Sequence, residues 1–145
     1  MDKLPPILYA EDNENDIELT LAAFEDCHIK NRIDVVRDGQ EVIDYLRYQG
    51  NYTSRPHENP IVILLDIKMP RVSGIDALQI IKSDDHLKLI PVVILTSSSM
   101  DKDILESYNL GVNAYVVKPV SFEEFMQAVK KLGIFWALVN QSVRE

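Results

Sequence analysis

The sequence predicts a doubly wound α/β fold built on a five-stranded parallel sheet, and two observations carry that expectation. Short apolar runs alternate five times with helical patterns along the chain, and one run, "IVILLD" at 61–66, is apolar at every position before its closing aspartate. Strands with one solvated face alternate in hydropathy, whereas strands covered on both faces are apolar throughout. Strand and helix in alternation imply right-handed crossovers, so the strands should run parallel with helices on both faces.

Five segments are short, rich in β-branched residues and bounded by Pro, Gly or Asp, as strands are: "PILYA", "IDVV", "IVILLD", "PVVILT" and "AYVV". Around them apolar residues recur at helical spacing: Ile17, Leu21 and Phe24; Val42, Ile43 and Leu46; Ile75, Leu78 and Ile81; Ile104 and Tyr108. Gly111 is placed to stop the helix around Ile104. In "SFEE", Ser121 can cap the final helix and Glu124, three residues on, can close a capping box. The apolar pattern carries that helix to about Asn140. The polar connection "YQGNYTSRPHENP" over 48–60 reads as a surface loop, to which the sequence assigns no task.

At 145 residues, 46% hydrophobic and 26% charged, the chain suits one domain over 1–145 that ends in an extension of its last helix. A net charge of −8 without any basic run predicts no direct nucleic-acid binding, because phosphate contacts dominate such affinity. The N-terminus "MDKLPPILYAEDN" lacks the apolar core of a signal peptide. No apolar run nears the length of about 18 residues that a membrane span needs, so a cytoplasmic protein is expected. Cys27 has no disulfide or CxxC partner and is expected to be a small buried hydrophobe. His28, His57 and His86 lack acidic or Cys partners at metal-ligand spacing and are expected on the surface.

In open α/β sheets, ligands bind beyond the carboxyl ends of the strands. Glu11 and Asp12 follow the first predicted strand, Asp66 closes the third, Thr96 and Ser97 end the fourth, and Lys118 and Pro119 follow the fifth. Three carboxylates converging to about 5 Å would repel at roughly 3 kcal/mol per pair at an effective dielectric of about 20, so a cation belongs among them. Mg²⁺ fits: it takes one or two protein carboxylates, keeps several waters and accepts phosphate oxygens as further ligands. Lys118 supplies a second positive charge, and Thr96 a hydroxyl donor for a phosphoryl oxygen. Alone, each residue reads as a turn former, a helix cap or a solvated side chain; the ordered set on one sheet edge is what points to a site.

"EDN", "LLDIKMPRVSG", "LTSSS" and "YVVKPV", in this order and spacing, closely resemble the receiver domain of two-component response regulators over nearly the whole chain. The resemblance implies a flavodoxin-like receiver fold with strand order 2-1-3-4-5. It implies that Asp66 accepts a phosphoryl group from the phosphohistidine of a sensor histidine kinase. Glu11, Asp12 and Asp66 would hold Mg²⁺ with the backbone carbonyl of Lys68, while Thr96 and Lys118 would bind the phosphoryl group. Tyr115 falls at the switch aromatic, the peptide before Pro119 is often cis in the family, and Met69, Pro70 and Gly74 match the loop after the acceptor. Thr96 and Tyr115 would then reshape the face made by the helix around Ile104, the last strand and the last helix. Lys68 and Ser98 lie where family side chains line the path of attacking water, so they would tune the lifetime of the phosphoryl group. A protein of this kind catalyses only its own phosphorylation and dephosphorylation.

The 48–60 connection and the apolar end "LGIFWALVNQ" further resemble the small stand-alone regulators of cyanobacterial and bacterial phytochrome kinases. That narrower likeness implies a phytochrome kinase as partner. No output domain follows the receiver region, so the message is expected to leave by protein contact or return to a kinase. Competing functions fit the residues less well. A haloacid-dehalogenase-type phosphatase resembles D-x-D, and this chain has Lys68 at the second position. A flavodoxin-like flavin carrier would place phosphate after the first strand, where Glu11 and Asp12 would repel it. The remaining alternative is a pseudo-receiver that binds a partner without phosphorylation, for which mutually repelling acids have no use.

The predicted last helix, from Ser121 to about Asn140, would be about 30 Å long, against about 17–20 Å for a strand of typical length. It should overhang its sheet. Phe122, Phe125 and Val129 can face the core, while Leu132, Trp136, Val139 and Val143 continue an apolar stripe that Ile134, Phe135 and Leu138 widen. Large exposed apolar patches mark interfaces, so a two-fold homodimer is expected with Phe135, Trp136, Leu138 and Val139 at the contact. Trp136→Glu should convert it to a folded monomer in sedimentation. A wild type already monomeric at micromolar concentration, phosphorylated or not, would contradict the dimer.

Overall fold

The computed structural model of the chain describes residues 4–26, 29–97 and 114–132. Five strands, β1 (Ile7–Ala10), β2 (Ile33–Val36), β3 (Val62–Asp66), β4 (Val92–Thr96) and β5 (Ala114–Val117), form one sheet in the order β2-β1-β3-β4-β5. Every neighbouring pair is parallel. Among the described residues the α-helices are α1 (Glu14–Asp26), α2 (Gly39–Arg47), α3 (Gly74–Ser83) and α4 (Phe122–Leu132). The doubly wound sheet and its strand order are as the sequence led us to expect. Cys27, His28, Ser98, Ile104, Tyr108, Gly111, Trp136 and the rest of the apolar tail, Phe135, Leu138 and Val139 included, lie outside the described residues.

Alternating side chains along each strand feed two separate apolar layers. Leu8, Ala10, Ile63, Leu65 and Ile94 join Val42, Ile43 and Leu46 of α2 and Leu78 and Ile81 of α3. Ile7, Tyr9, Val62, Leu64, Val93 and Leu95 join Ile17 and Phe24 of α1 and Phe125 of α4 on the other face. The rings of Phe24 and Phe125 meet at 4.7 Å between centroids, packing the first helix against the last. The central strands β1, β3 and β4 are buried at every residue, whereas the edge strands β2 and β5 are partly exposed. Burial on both faces is why "IVILLD" shows no alternation.

Each helix starts on a side-chain cap close behind a strand end. Asn13 Oδ1 accepts from Asp16 N at 2.9 Å, Asp38 Oδ1 from Glu41 N at 2.8 Å, Ser73 Oγ from Asp76 N at 3.1 Å and Ser121 Oγ from Glu124 N at 3.1 Å. These caps satisfy amides that the first helical turn leaves without partners. The Ser121 cap was legible in "SFEE".

The 48–60 connection is more ordered than its polar composition suggests. It opens with Tyr48 in the left-handed conformation (φ 56°) capping α2, then makes a 3₁₀ turn over Gly50–Tyr52. The Arg55 guanidinium lies over the rings of Tyr45 at 3.9 Å and Tyr48 at 4.3 Å, and His57 stacks on Tyr48. Arg55 also donates to the carbonyls of Tyr45 and Glu58, at 3.1 and 3.0 Å. His57 and His86 are exposed, as expected.

Gly74, the first residue of α3, is where the chain passes closest to the end of β3. A Cβ there would stand 2.0 Å from the Asp66 carbonyl oxygen and 2.7 Å from Ile67 Cα, both backbone atoms that cannot step aside. The Gly74 amide donates to Ile67 O at 2.8 Å, fixing the turn. Gly74→Ala should therefore destabilise the fold by about 1–3 kcal/mol, seen as a lower urea midpoint. An unchanged midpoint would show that this approach relaxes at no cost.

Candidate functional site

Parallel strands end on the same edge of the sheet, and that edge collects the charged residues. Glu11 leaves β1 with its amide donating to Val36 O at 3.0 Å and its side chain fully buried. Asp66 closes β3 and is 4% exposed, whereas Asp12 faces solvent. One carboxylate oxygen from each of Glu11, Asp12 and Asp66 lies within 4.8 Å of the other two. Glu11 Oε2 also accepts from the Asn13 amide at 3.2 Å.

Lys118 follows β5 and is held to β4 by its backbone, whose amide donates to Thr96 O at 2.8 Å. The Lys118–Pro119 peptide is cis, as the family likeness implies. Its ammonium Nζ stands 3.3 Å from Glu11 Oε1, 3.3 Å from Asp66 Oδ2 and 3.2 Å from Asp16 Oδ2. Burial alone would lower the lysine's pKa, but the charges of Asp66 and Glu11, with hydrogen bonds to Asp16 and Glu11, overcome burial and hold it above the ordinary range. The group is a fixed cation.

Glu11 behaves oppositely. Burial first, then its hydrogen bond to Asp66 and the Asp66 charge, push Glu11 up to about 7, against the pull of Lys118 and the Asn13 amide. Around neutrality the crowded acids thus hold back a proton that a bound cation would displace.

Thr96 is the last residue of β4 and fully buried; its neighbours across the sheet place Asp66 opposite Leu95 and Thr96 opposite Val117. Tyr115 lies on β5 opposite Ile94, half-buried against the layer that holds α2 and α3. The Lys68 amide stands 3.5 Å from Asp66 Oδ1 and its side chain faces solvent. Met69 tucks into the core, Arg71 takes a left-handed φ of 64°, and its guanidinium makes a two-point pair with Asp38 at 2.9 and 3.1 Å. That pair ties the loop after Asp66 to the start of α2.

The strand-end reading passed over Asp16. It sits in the first turn of α1, where the Asn13 cap fixes its amide and the Tyr9 hydroxyl donates to its carbonyl at 3.3 Å. The signal was present in "EDNEND": a helix that starts directly behind the strand end must turn some first-turn side chain toward the same edge.

The donors here are all carboxylate oxygens, a set that suits a hard divalent cation such as Mg²⁺ and not a soft one. Comparison with known proteins agrees with the geometry. A family model described as the response regulator receiver domain matches residues 7–130.

The chain belongs to that family.

Among curated relatives of this receiver domain, the probable methanogenesis regulatory protein FilR2 of Methanothrix harundinacea is 39% identical, covering 94% of this chain and 86% of its own. The response regulator Rcp1 of Synechocystis sp. is 35% identical, covering 91% of this chain and 90% of its own, and has been solved in a Mn²⁺-bound form that superposes with a TM-score of 0.70 (33% identity; 92% and 95% covered). The bacteriophytochrome response regulator AtBRR is 53% identical with a TM-score of 0.92, covering 97% of this chain and all of its own (100%). The protein is thus a receiver-domain response regulator related to the phytochrome response regulators.

The raised Glu11 fixes the sign of a pH dependence. Between its ordinary value of 4.5 and about 7 the folded protein keeps a proton that the unfolded chain releases, so stability falls as pH rises through that window and levels off above it. Glu11→Gln cannot titrate. In metal-free buffer the variant should gain on the wild type as pH rises through the window, followed by urea unfolding. A difference that stays flat with pH would contradict the raised Glu11.

Proposed function

We propose that this receiver accepts a phosphoryl group on Asp66 from the phosphohistidine of a sensor histidine kinase, with Mg²⁺ present. The observation that carries the reading is the meeting of a buried Asp66 with the Lys118 ammonium at 3.3 Å and with Glu11 and Asp12, whose carboxylate oxygens lie within 4.8 Å.

Glu11, Asp12 and Asp66, with the Lys68 carbonyl as the family likeness suggests, would hold the cation. When bound, it neutralises the carboxylates and accepts oxygens of the incoming phosphoryl group. Asp66 supplies the attacking carboxylate oxygen. A P–O bond forms there as the P–N bond of the phosphohistidine breaks, and the imidazole leaves with the electron pair. Lys118 is a permanent positive charge beside the transferring oxygens, where charge neutralisation and positioning do most of the catalysis. Thr96 offers a hydroxyl from the adjacent strand end.

After transfer, Thr96 and Tyr115 would act as the switch pair, changing the surface of β5 and α4 that partners read. The likeness to AtBRR and Rcp1 favours a phytochrome kinase as donor, over the different pathway named for FilR2. Rcp1's Mn²⁺-bound form supports a divalent cation in the acidic cluster. A cytoplasmic site of action and a homodimer complete the proposal; among the described residues no helix is long and apolar enough to cross a membrane.

Asp66→Asn keeps the shape of the side chain and loses the nucleophile. Incubated with Mg²⁺ and either acetyl phosphate or an autophosphorylated histidine kinase, the wild type should take up about one phosphoryl group per chain and the variant none. Stoichiometric acid-labile labelling of a folded Asp66→Asn protein would overturn the assignment, and a wild type that never labels would favour a binding module.

A further inference from the structure

We propose that Asp16 is a positioning residue for Lys118: it draws the ammonium off Glu11 when a divalent cation takes that carboxylate. The inference rests on the reading of Glu11, Asp12 and Asp66 as the cation site and extends it to a residue outside that set.

An ammonium has three donors and no acceptor. In this structure all three point at carboxylates, at 3.2–3.3 Å. Two of the acceptors, Glu11 and Asp66, also belong to the carboxylate triad, and their side chains are 0% and 5% exposed. The third, Asp16, lies outside the triad and its side chain is 31% exposed. Lys118 and an incoming cation thus compete for the same two buried carboxylates. An ammonium whose side chain is only 17% exposed cannot be left without a partner at acceptable cost. Asp16 is the one of its three acceptors that the cation does not claim.

The placement of Asp16 is built rather than incidental. Its amide is tied to the Asn13 cap at 2.9 Å and its carbonyl accepts from the Tyr9 hydroxyl, whose oxygen in turn accepts from the Thr20 hydroxyl at 3.1 Å in the buried layer under α1. Glu14, the other acid of that turn, faces away and pairs with Arg37. Asp16 therefore presents a carboxylate on a rigid turn at the rim of the site. As a cation enters, the ammonium slides toward that rim and frees Glu11 without losing its charge partner.

The test is a double-mutant cycle on Mg²⁺ affinity, measured by calorimetry for the wild type, Asp16→Asn, Lys118→Ala and the double variant. With Asp16 gone, the ammonium falls back on Glu11 and Asp66 and competes harder, so Asp16→Asn should bind Mg²⁺ about 2- to 10-fold more weakly. In the Lys118→Ala background the same change should have little effect, because no ammonium remains to be moved. A loss of equal size in both backgrounds would mean that Asp16 acts only through its charge at a distance, and would overturn the proposal. A second readout needs no Asp16 variant: the Asp16 ¹³Cγ resonance should shift on Mg²⁺ addition in the wild type and stay still in Lys118→Ala. Shifts that match in the two proteins would likewise sink it. A wild type that binds no Mg²⁺ refutes the cation site itself and the proposal with it, whereas tight binding with no coupling refutes the role of Asp16 alone.

Discussion

One ammonium facing a surplus of carboxylates is the constraint on which this protein depends. Lys118 touches Glu11, Asp16 and Asp66, while Asp12 adds a further acid to the same cluster. The imbalance cannot be relieved by moving apart, because Glu11 and Asp66 are fixed at the ends of two hydrogen-bonded strands in the middle of the sheet. It is relieved in part by a proton on Glu11, and would be relieved fully by a divalent cation. An edge of this kind costs stability in the empty state and gains affinity for positive charge, the usual trade at a functional site. Once a cation had neutralised the acids, an incoming phosphoryl group would meet attraction from both the metal side and the lysine side.

The scaffold exists to keep that edge from relaxing. Parallel strands deliver Glu11, Asp66, Thr96 and Lys118 to one side, and the two apolar layers clamp the sheet between helices. Two further locks act on the loop after Asp66. Gly74 lets α3 begin against the Asp66 carbonyl, and the Arg71–Asp38 pair joins the loop to the cap of α2. On the other face, Phe24 and Phe125 tie α1, which bears Asp16, to α4, which follows Lys118. The acid and the lysine that meet at 3.2 Å are therefore held from beneath by a ring contact between their own elements.

How much of this could be read from the sequence follows from which features are local. "IVILLD" and "PVVILT" declare buried parallel strands by their unbroken apolar runs, and a parallel sheet then fixes which edge their last residues share. Glu11, Asp66, Thr96 and Lys118 were legible for that reason alone. Asp16 was not, because its arrival at Lys118 depends on the rotational phase of α1 about its axis, which the Asn13 cap and the Tyr9 hydroxyl set across 3 to 7 residues. The order in the 48–60 connection was hidden in the same way. Arg55 and Tyr48 stand in the quoted segment, but the nearer of the two rings beneath the guanidinium belongs to Tyr45 in α2. A glycine likewise announces freedom and not its use, so the close approach at Gly74 could be seen only in three dimensions.

The coupling between the edge and the partner-facing surface is short. The Lys118 amide is bonded to the Thr96 carbonyl, so the two groups proposed to grip the phosphoryl oxygens belong to one backbone unit spanning β4 and β5. Tyr115 lies on β5 three residues before Lys118, which follows that strand, opposite Ile94 and packed on the layer shared with α2 and α3. In the proposed switch, a pull on Thr96 would be transmitted along paired strands, which resist stretching, to a half-buried side chain. Strand β5 is also the sheet edge, with Val117 41% exposed, so a displacement there has nothing further to push against within the sheet. Between a site that would gain charge and an edge that would present it, the element able to change rotamer without breaking the sheet is the aromatic side chain. That would be the physical reason for the proposed switch to reside at Tyr115 rather than in the rigid strands on either side.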